Sequence, residues 1–244
     1  MIRERRIKLT DRLQAIADFV KPGESIADIG TDHGFLPMTL FNSGVSPHVI
    51  LCDVNKGPLE KASNNIIEYF PGKTFDMRLG DGLSPLEAGE VDVVVIAGMG
   101  GLLIADILAK DIKKTRSFKK FILQPRNAQD KLRSWLYENS FDIIDEVLVK
   151  ERKYICEIIV AVPQGSHHEI LETPDESPLE FEISPLLFQK KDPLLLEFLK
   201  NKIKIEEKII HDIKKGSGKN HMEQLNISKE RLKALEGLLA SIDF

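Results

Sequence analysis

Of 244 residues only two are cysteine and one is tryptophan. Cys52 and Cys156 both fall in stretches that read as strands, where the plain role is a small buried hydrophobe. They supply neither a disulfide framework nor a cysteine-rich metal site. His167-His168 stands in an acidic stretch without a nearby cysteine, so no metal is expected there. No apolar run approaches the ~20 residues of a membrane helix. The basic start, Met1 to Arg6, is followed by no apolar signal region, so a cytoplasmic chain without a membrane partner is expected. Charge of one dominating sign is also missing: the net charge is -4. That excludes a chain basic overall and leaves nucleic-acid binding to local patches.

What is present alternates. Thr10 can cap a helix whose apolar positions are Leu13, Ile16, Ala17 and Val20, stopped by Lys21-Pro22-Gly23-Glu24. Strands are expected at about 25–30, 48–54, 74–79, 91–97 and 121–124, and helices at about 35–43, 58–70, 102–110 and 128–139. Two longer strands follow, about 143–150 and 154–162. The short connection Glu151-Arg152-Lys153 makes them an antiparallel hairpin. The expected fold is α/β, a mostly parallel sheet with an antiparallel edge hairpin. Residues 1–163 form this first domain. Residues 164–244 form a second, a proline-containing acidic linker and then two long helical stripes around a glycine turn at 215–220. The stripes read as a coiled-coil-like helical hairpin.

In an open α/β sheet, ligands sit at the carboxyl ends of the strands. Five polar or glycine-rich segments fall there in this chain. The first is Asp28-Ile29-Gly30-Thr31-Asp32-His33-Gly34. Gly30 and Gly34 stand four apart, so the Gly-x-Gly-x-x-Gly of dinucleotide sites is absent and a nicotinamide oxidoreductase is disfavoured. Asp28, an acid just before the turn, suits a ligand with a cationic amino-acid part. That fits S-adenosylmethionine better than a pyrophosphate, which wants bare amides. Asp53 ends the second strand, placed to hold two ribose hydroxyls. Gly80-Asp81-Gly82-Leu83 follows the third, where Asp81 can take an adenine amino group. Ala97-Gly98-Met99-Gly100-Gly101 follows the fourth and Gln124-Pro125-Arg126-Asn127 the fifth.

The blocks Ala-Asp-Ile-Gly-Thr-Asp-His-Gly-Phe-Leu-Pro, Asp53-Val54-Asn55, Gly80-Asp81-Gly82-Leu83, Ile-Ala-Gly-Met-Gly-Gly and Leu-Gln-Pro-Arg resemble the TrmK family. These are bacterial tRNA (adenine-N1)-methyltransferases that act on adenine 22 in the D-arm. The similarity covers the chain to about Pro163 and, more loosely, its helical tail. It implies a class I, Rossmann-like fold, S-adenosylmethionine as cofactor, and tRNA as partner through its D-arm region. Carried over, Asp28, Gly30 and His33 fall near the methionine part and first loop, Asp53 with Val54 at the ribose, Asp81 with Gly82 at the adenine, and Gly98 beside the donor.

The Asn/Asp-Pro-Pro-Tyr block of many amino-methylating enzymes is missing; Gly98 to Gly101 stands in its place. Adenine N1 has an in-plane lone pair and can attack a methyl group directly, so catalysis is mainly positioning and handling of a cationic product. Asp32 is the candidate to hold the N6 amino group and stabilise that charge. Met99, Gly100 and Arg126 are candidates for the substrate, the glycine giving close backbone approach and the arginine a phosphate contact.

Each candidate also has a plainer reading. Acids and Asp-Gly pairs favour turns, a loop histidine can simply pack, methionine fills cores, and Arg126 can be a solvated charge. Trp135 falls on the apolar side of its helix and reads as core. From Phe181 on there are twelve Lys/Arg against ten Asp/Glu, so a solvated helix face explains the tail on charge alone. Oligomeric state is open, with a monomer the leading expectation. The rivals are a methyltransferase of another RNA or small molecule on the same fold, and a non-catalytic S-adenosylmethionine-binding protein.

Overall fold

A computed structural model describes residues 7–165, 178–216 and 221–242. The chain divides into two compact units, Met1–Thr173 and Pro174–Phe244. The division falls ten residues past the expected boundary at Pro163, in a stretch outside the described residues. His167-His168, Arg3, Arg5, Arg6 and Ser217 to Asn220 also lie outside them.

The first unit opens with α1 (Asp11–Asp18), capped by Thr10, whose side chain accepts a hydrogen bond from Leu13 N. Then follow β1 (Ile26–Ile29), α2 (Phe35–Asn42), β2 (Val49–Asp53), α3 (Lys56–Tyr69), β3 (Asp76–Leu79), β4 (Val93–Met99) and α4 (Gly101–Ala109). A short α5 (Ile112–Thr115), with no counterpart in the sequence reading, leads to β5 (Lys120–Pro125), α6 (Gln129–Glu138), β6 (Phe141–Glu151) and β7 (Tyr154–Pro163).

These strands make one seven-stranded sheet in the order β3-β2-β1-β4-β5-β7-β6. The first five are parallel; β7 is antiparallel to both β5 and β6. Strand order reverses between β1 and β4, so the crevice at their carboxyl ends is the place where a ligand fits. Side chains alternate between two cores. Ala27, Ile29, Val94, Ile96, Phe121 and Leu123 pack on one face, and Ile26, Val93, Val95 and Ile122 on the other. Each such buried Val, Leu, Ile or Phe side chain contributes roughly 1.5–3 kcal/mol. Trp135 packs against the first core and stacks on Phe141 at 5.9 Å.

A buried ion cluster ties α6 to the edge hairpin. Arg133 donates from Nε to Glu146 at 2.8 Å and from Nη2 to Glu157 at 2.6 Å, and all three side chains are almost fully buried. Burial pushes the Glu146 carboxyl up to about 7 despite the guanidinium beside it.

The second unit holds α7 (Pro178–Glu182), α8 (Pro185–Gln189), α9 (Leu195–Lys215) and α10 (His221–Ala240). Ser184 caps α8 and Pro185 starts it. The two long helices pack on each other, and five intervening residues make them antiparallel. Leu195, Phe198, Leu199, Ile210, Leu225 and Leu235 are buried. Arg231 of α10 reaches Glu206 of α9 at 3.2 Å and Glu182 at 2.6 Å. Among the described residues no helix is long and apolar enough to cross a membrane, and no group of three His, Cys, Asp or Glu could hold a metal.

Candidate active site

A cavity of about 790 Å³ opens at the carboxyl ends of β1, β4 and β5. Of the residues singled out in the sequence, Asp28, Gly30, Asp32, His33, Gly98 and Arg126 line it. Asp53, Val54, Asp81, Gly82, Met99 and Gly100 do not.

Asp28 lies on β1, paired in register with Leu51 and Val95. It is a carboxyl buried among apolar strands, and burial raises it from 3.8 to about 6. Thr31 and the Arg12 charge pull it down, and the charge of Asp53 pushes it further up. Thr31 Oγ1 is itself buried and has no partner of full hydrogen-bond geometry among the described residues. A cation arriving in the cavity would offset what burial costs this carboxylate.

The chain turns away from β1 at Gly30, whose φ of +79° favours glycine. A Cβ there would also overlap Met99 Cε. Met99 therefore covers Gly30 and packs on the core, while its carbonyl accepts from Arg126 N at 2.7 Å. Asp32 follows at φ +42°, with its carboxylate exposed. Lys61 Nζ lies 3.2 Å from one of its oxygens and His33 Nε2 3.3 Å from the other. The His33 ring stacks on Phe35, centroids 5.4 Å apart.

The opposite end of the switch point is β4. Its register with β5 shifts between Ala97 and Met99, around Gly98 at φ +76°. Open space surrounds the Gly98 Cβ position, and its N–H donates to Gln124 Oε1 at 3.1 Å. Gly100 caps α4 with Asn127 close by, and Gly101 leaves no room at all, since a Cβ would overlap the Ala128 carbonyl.

On the other side of β1, Asp53 is buried and accepts from Asn55 N at 2.8 Å. Val54 beside it is 58% exposed. Asp81 forms an ion pair with Lys110, and Gly82, at φ +56°, packs against Ile107. These four lie outside the lining of the cavity.

Among the cavity residues not singled out as site residues are Arg12, Gln124, Glu151, Arg152 and Tyr154. Gln124 Oε1 accepts from both Gly98 N and Arg12 Nη1, each at 3.1 Å. Arg12 Nε meets Glu151 at 2.9 Å. The ends of β4 and β5, helix α1 and the edge hairpin are thereby tied into one frame. Gln124 carried a signal, as a polar residue ending an apolar strand. Arg12, on a helix face, carried none.

A family model described as a methyltransferase domain matches residues 9–159, well over half the chain. The chain belongs to the methyltransferase-domain family. Within that family its likeness is to TrmK proteins. A tRNA (adenine(22)-N(1))-methyltransferase of Bacillus subtilis is 36% identical over 155 residues, which are 64% of this chain and 65% of that protein. The matched part is thus just under two thirds of that relative's length. Likeness of fold runs further. The crystal structure of the B. subtilis M1A22 tRNA methyltransferase TrmK superposes with a TM-score of 0.82 at 28% identity, over 96% of this chain and 100% of that one. A Streptococcus pneumoniae putative tRNA (m1A22) methyltransferase, in complex with S-adenosyl-L-methionine, gives 0.81 at 27% identity, covering 95% of this chain and 100% of the other. A Rossmann-like methyltransferase sheet with an antiparallel edge and C-terminal helices is thus the fold of this chain.

Proposed function

We propose that the protein is a cytoplasmic, S-adenosylmethionine-dependent methyltransferase acting on N1 of adenine 22 in the D-arm region of tRNA. The observation that carries the reading is the Asp28 carboxyl, buried at a strand end, raised by that burial and lining an open cavity. A cationic ligand group answers that charge. The full-length likeness to a methyltransferase holding the cofactor agrees with it.

In this reading Asp28 receives the ammonium of the cofactor's methionine part. Gly98 leaves room for it, Gly30 makes the turn beside it, and His33 borders the same loop. Asp53 takes the ribose hydroxyls, Val54 offers an apolar surface to the adenine, and Asp81 with Gly82 holds its polar edge. When bound, the cofactor supplies an electrophilic methyl group on a cationic sulfur. The nucleophile is the N1 lone pair of the target base, so the protein needs no nucleophile of its own.

Asp32 holds the target's N6 amino group and offsets the positive charge that the ring acquires. His33 and Lys61 keep its carboxylate in place. Met99 and Gly100 border the base, and Arg126 contacts the RNA backbone. The antiparallel pair of α9 and α10 acts as a coiled-coil-like arm on the tRNA. The protein works as a monomer and without metal.

Methyl transfer from labelled cofactor to an unmodified tRNA transcript tests this. Turnover is expected for the wild type, and a loss of at least about 100-fold in kcat for Asp32→Ala at unchanged cofactor affinity. Wild-type rates in Asp32→Ala would refute the role of Asp32. No transfer by folded wild-type protein would refute the function.

A further inference from the structure

The hairpin of β6 and β7 is longer than the sheet it edges. β5 pairs with β7 only from Phe121↔Ala161 to Leu123↔Ile159, whereas β6 and β7 stay paired out to Glu151↔Tyr154. Counting on in register, the end of β5 at Pro125 lies level with residue 157. Tyr154 therefore stands three residues beyond it, roughly 10 Å at ~3.4 Å per residue. Because β7 is antiparallel, this overhang is on the edge of the sheet that carries the cavity. Arg152 and Tyr154 line that cavity.

The overhang is braced. Glu151 accepts from Arg12 Nε at 2.9 Å and from Thr10 Oγ1 at 3.3 Å, so α1 holds the tip and Glu151's charge is matched. What the tip presents is unmatched. Tyr154 is 64% exposed, with Lys153 Nζ 5.2 Å from the centroid of its ring. Arg152, at φ +58°, and Arg126 are both exposed. Among the described residues neither guanidinium has a hydrogen bond or an ion pair. An exposed ring between cations is the chemistry that binds single-stranded nucleic acid, stacking on bases while the cations track phosphates. A base methylated on its pairing edge has to leave its stack, and a nearby aromatic surface compensates for the loss.

We propose that the β6–β7 tip is the RNA-side wall of the site, with Tyr154 stacked on an unstacked base at the cavity mouth and Arg152 and Arg126 on the adjoining phosphates. This rests on the tRNA-methyltransferase reading and adds to it a surface on the catalytic unit itself.

The test measures anisotropy of a fluorescein-labelled, unmodified tRNA transcript over a range of salt, with calorimetry of S-adenosylmethionine alongside. Tyr154→Ala should weaken tRNA binding about 5- to 100-fold, and Tyr154→Phe should restore it to within about twofold. Arg152→Asn, which tolerates the positive φ, should lower the log–log salt slope by roughly 0.7. Cofactor affinity and melting temperature should stay as in the wild type, because Tyr154 is exposed. Wild-type tRNA affinity in Tyr154→Ala overturns the inference, and so does a loss that Tyr154→Phe does not recover. If the wild type transfers no methyl group while Tyr154→Ala still weakens tRNA binding, the enzymatic reading falls and the hairpin surface stands. If the wild type is active and Tyr154→Ala binds normally, the hairpin surface falls alone.

Discussion

Replacing Asp28 by asparagine should make the ligand-free protein more stable and the cofactor bind worse. Burial raises the Asp28 carboxyl from 3.8 to about 6. At about 1.4 kcal/mol per unit, keeping it ionised in the folded state costs up to about 3 kcal/mol at pH 7. An acid whose folded pKa lies above its unfolded one favours folding when protonated. The cost is therefore absent below pH 3.8, grows between there and pH 6, and is complete above. Asparagine mimics the protonated form, so the gain of Asp28→Asn over wild type should be several degrees in melting temperature at pH 7 and small at pH 4.5. Calorimetry should show S-adenosylmethionine bound about 10- to 100-fold more weakly, since a charge-assisted hydrogen bond contributes about 1.5–3 kcal/mol. A variant less stable than wild type at pH 7, or one that binds the cofactor normally, would refute the reasoning. Stability yielded to a binding site in this way is a general trade-off.

Cofactor affinity should level off above about pH 7 and fall through pH 6 as Asp28 takes a proton, by about tenfold between pH 7 and pH 5. A flat profile in calorimetry would contradict that. Arg133→Ala leaves Glu146 and Glu157 buried together without their cation. It should cost about 3–5 kcal/mol in urea unfolding, and a loss under 1 kcal/mol would count against the cluster. Gly101→Ala drives a methyl group into the Ala128 carbonyl. The start of α4 must shift, so melting temperature and cofactor affinity should both drop, and wild-type values for both would show the backbone yields freely.

Most of the sheet was legible because a buried parallel strand is a near-continuous apolar run, as at Val93 to Ile96, bounded by glycines. The hairpin followed from the short connection between its strands. The strand order is harder to read locally, because it depends on which helix crosses which face. So does α5, too short to show a period. In the site, Asp28, Gly30, Asp32, His33, Gly98 and Arg126 come together because they lie at the ends of strands that the fold sets side by side. Arg12 and Glu151 were missed for the converse reason: 139 residues separate them and only the hairpin's overhang brings them together. Tyr154 read as an ordinary strand residue, since nothing local reveals that its strand outruns its neighbour. The packing of Met99 over Gly30 was illegible too, because the two lie on different strand ends far apart in the chain.

The central claim is tested most directly by the product. An unmodified tRNA transcript is incubated with S-adenosylmethionine and the protein, digested to nucleosides and resolved by mass spectrometry, with a second transcript carrying guanine in place of adenine 22. N1-methyladenosine is expected from the first transcript and none from the second. Its absence from the first, or its equal presence in both, would contradict the account.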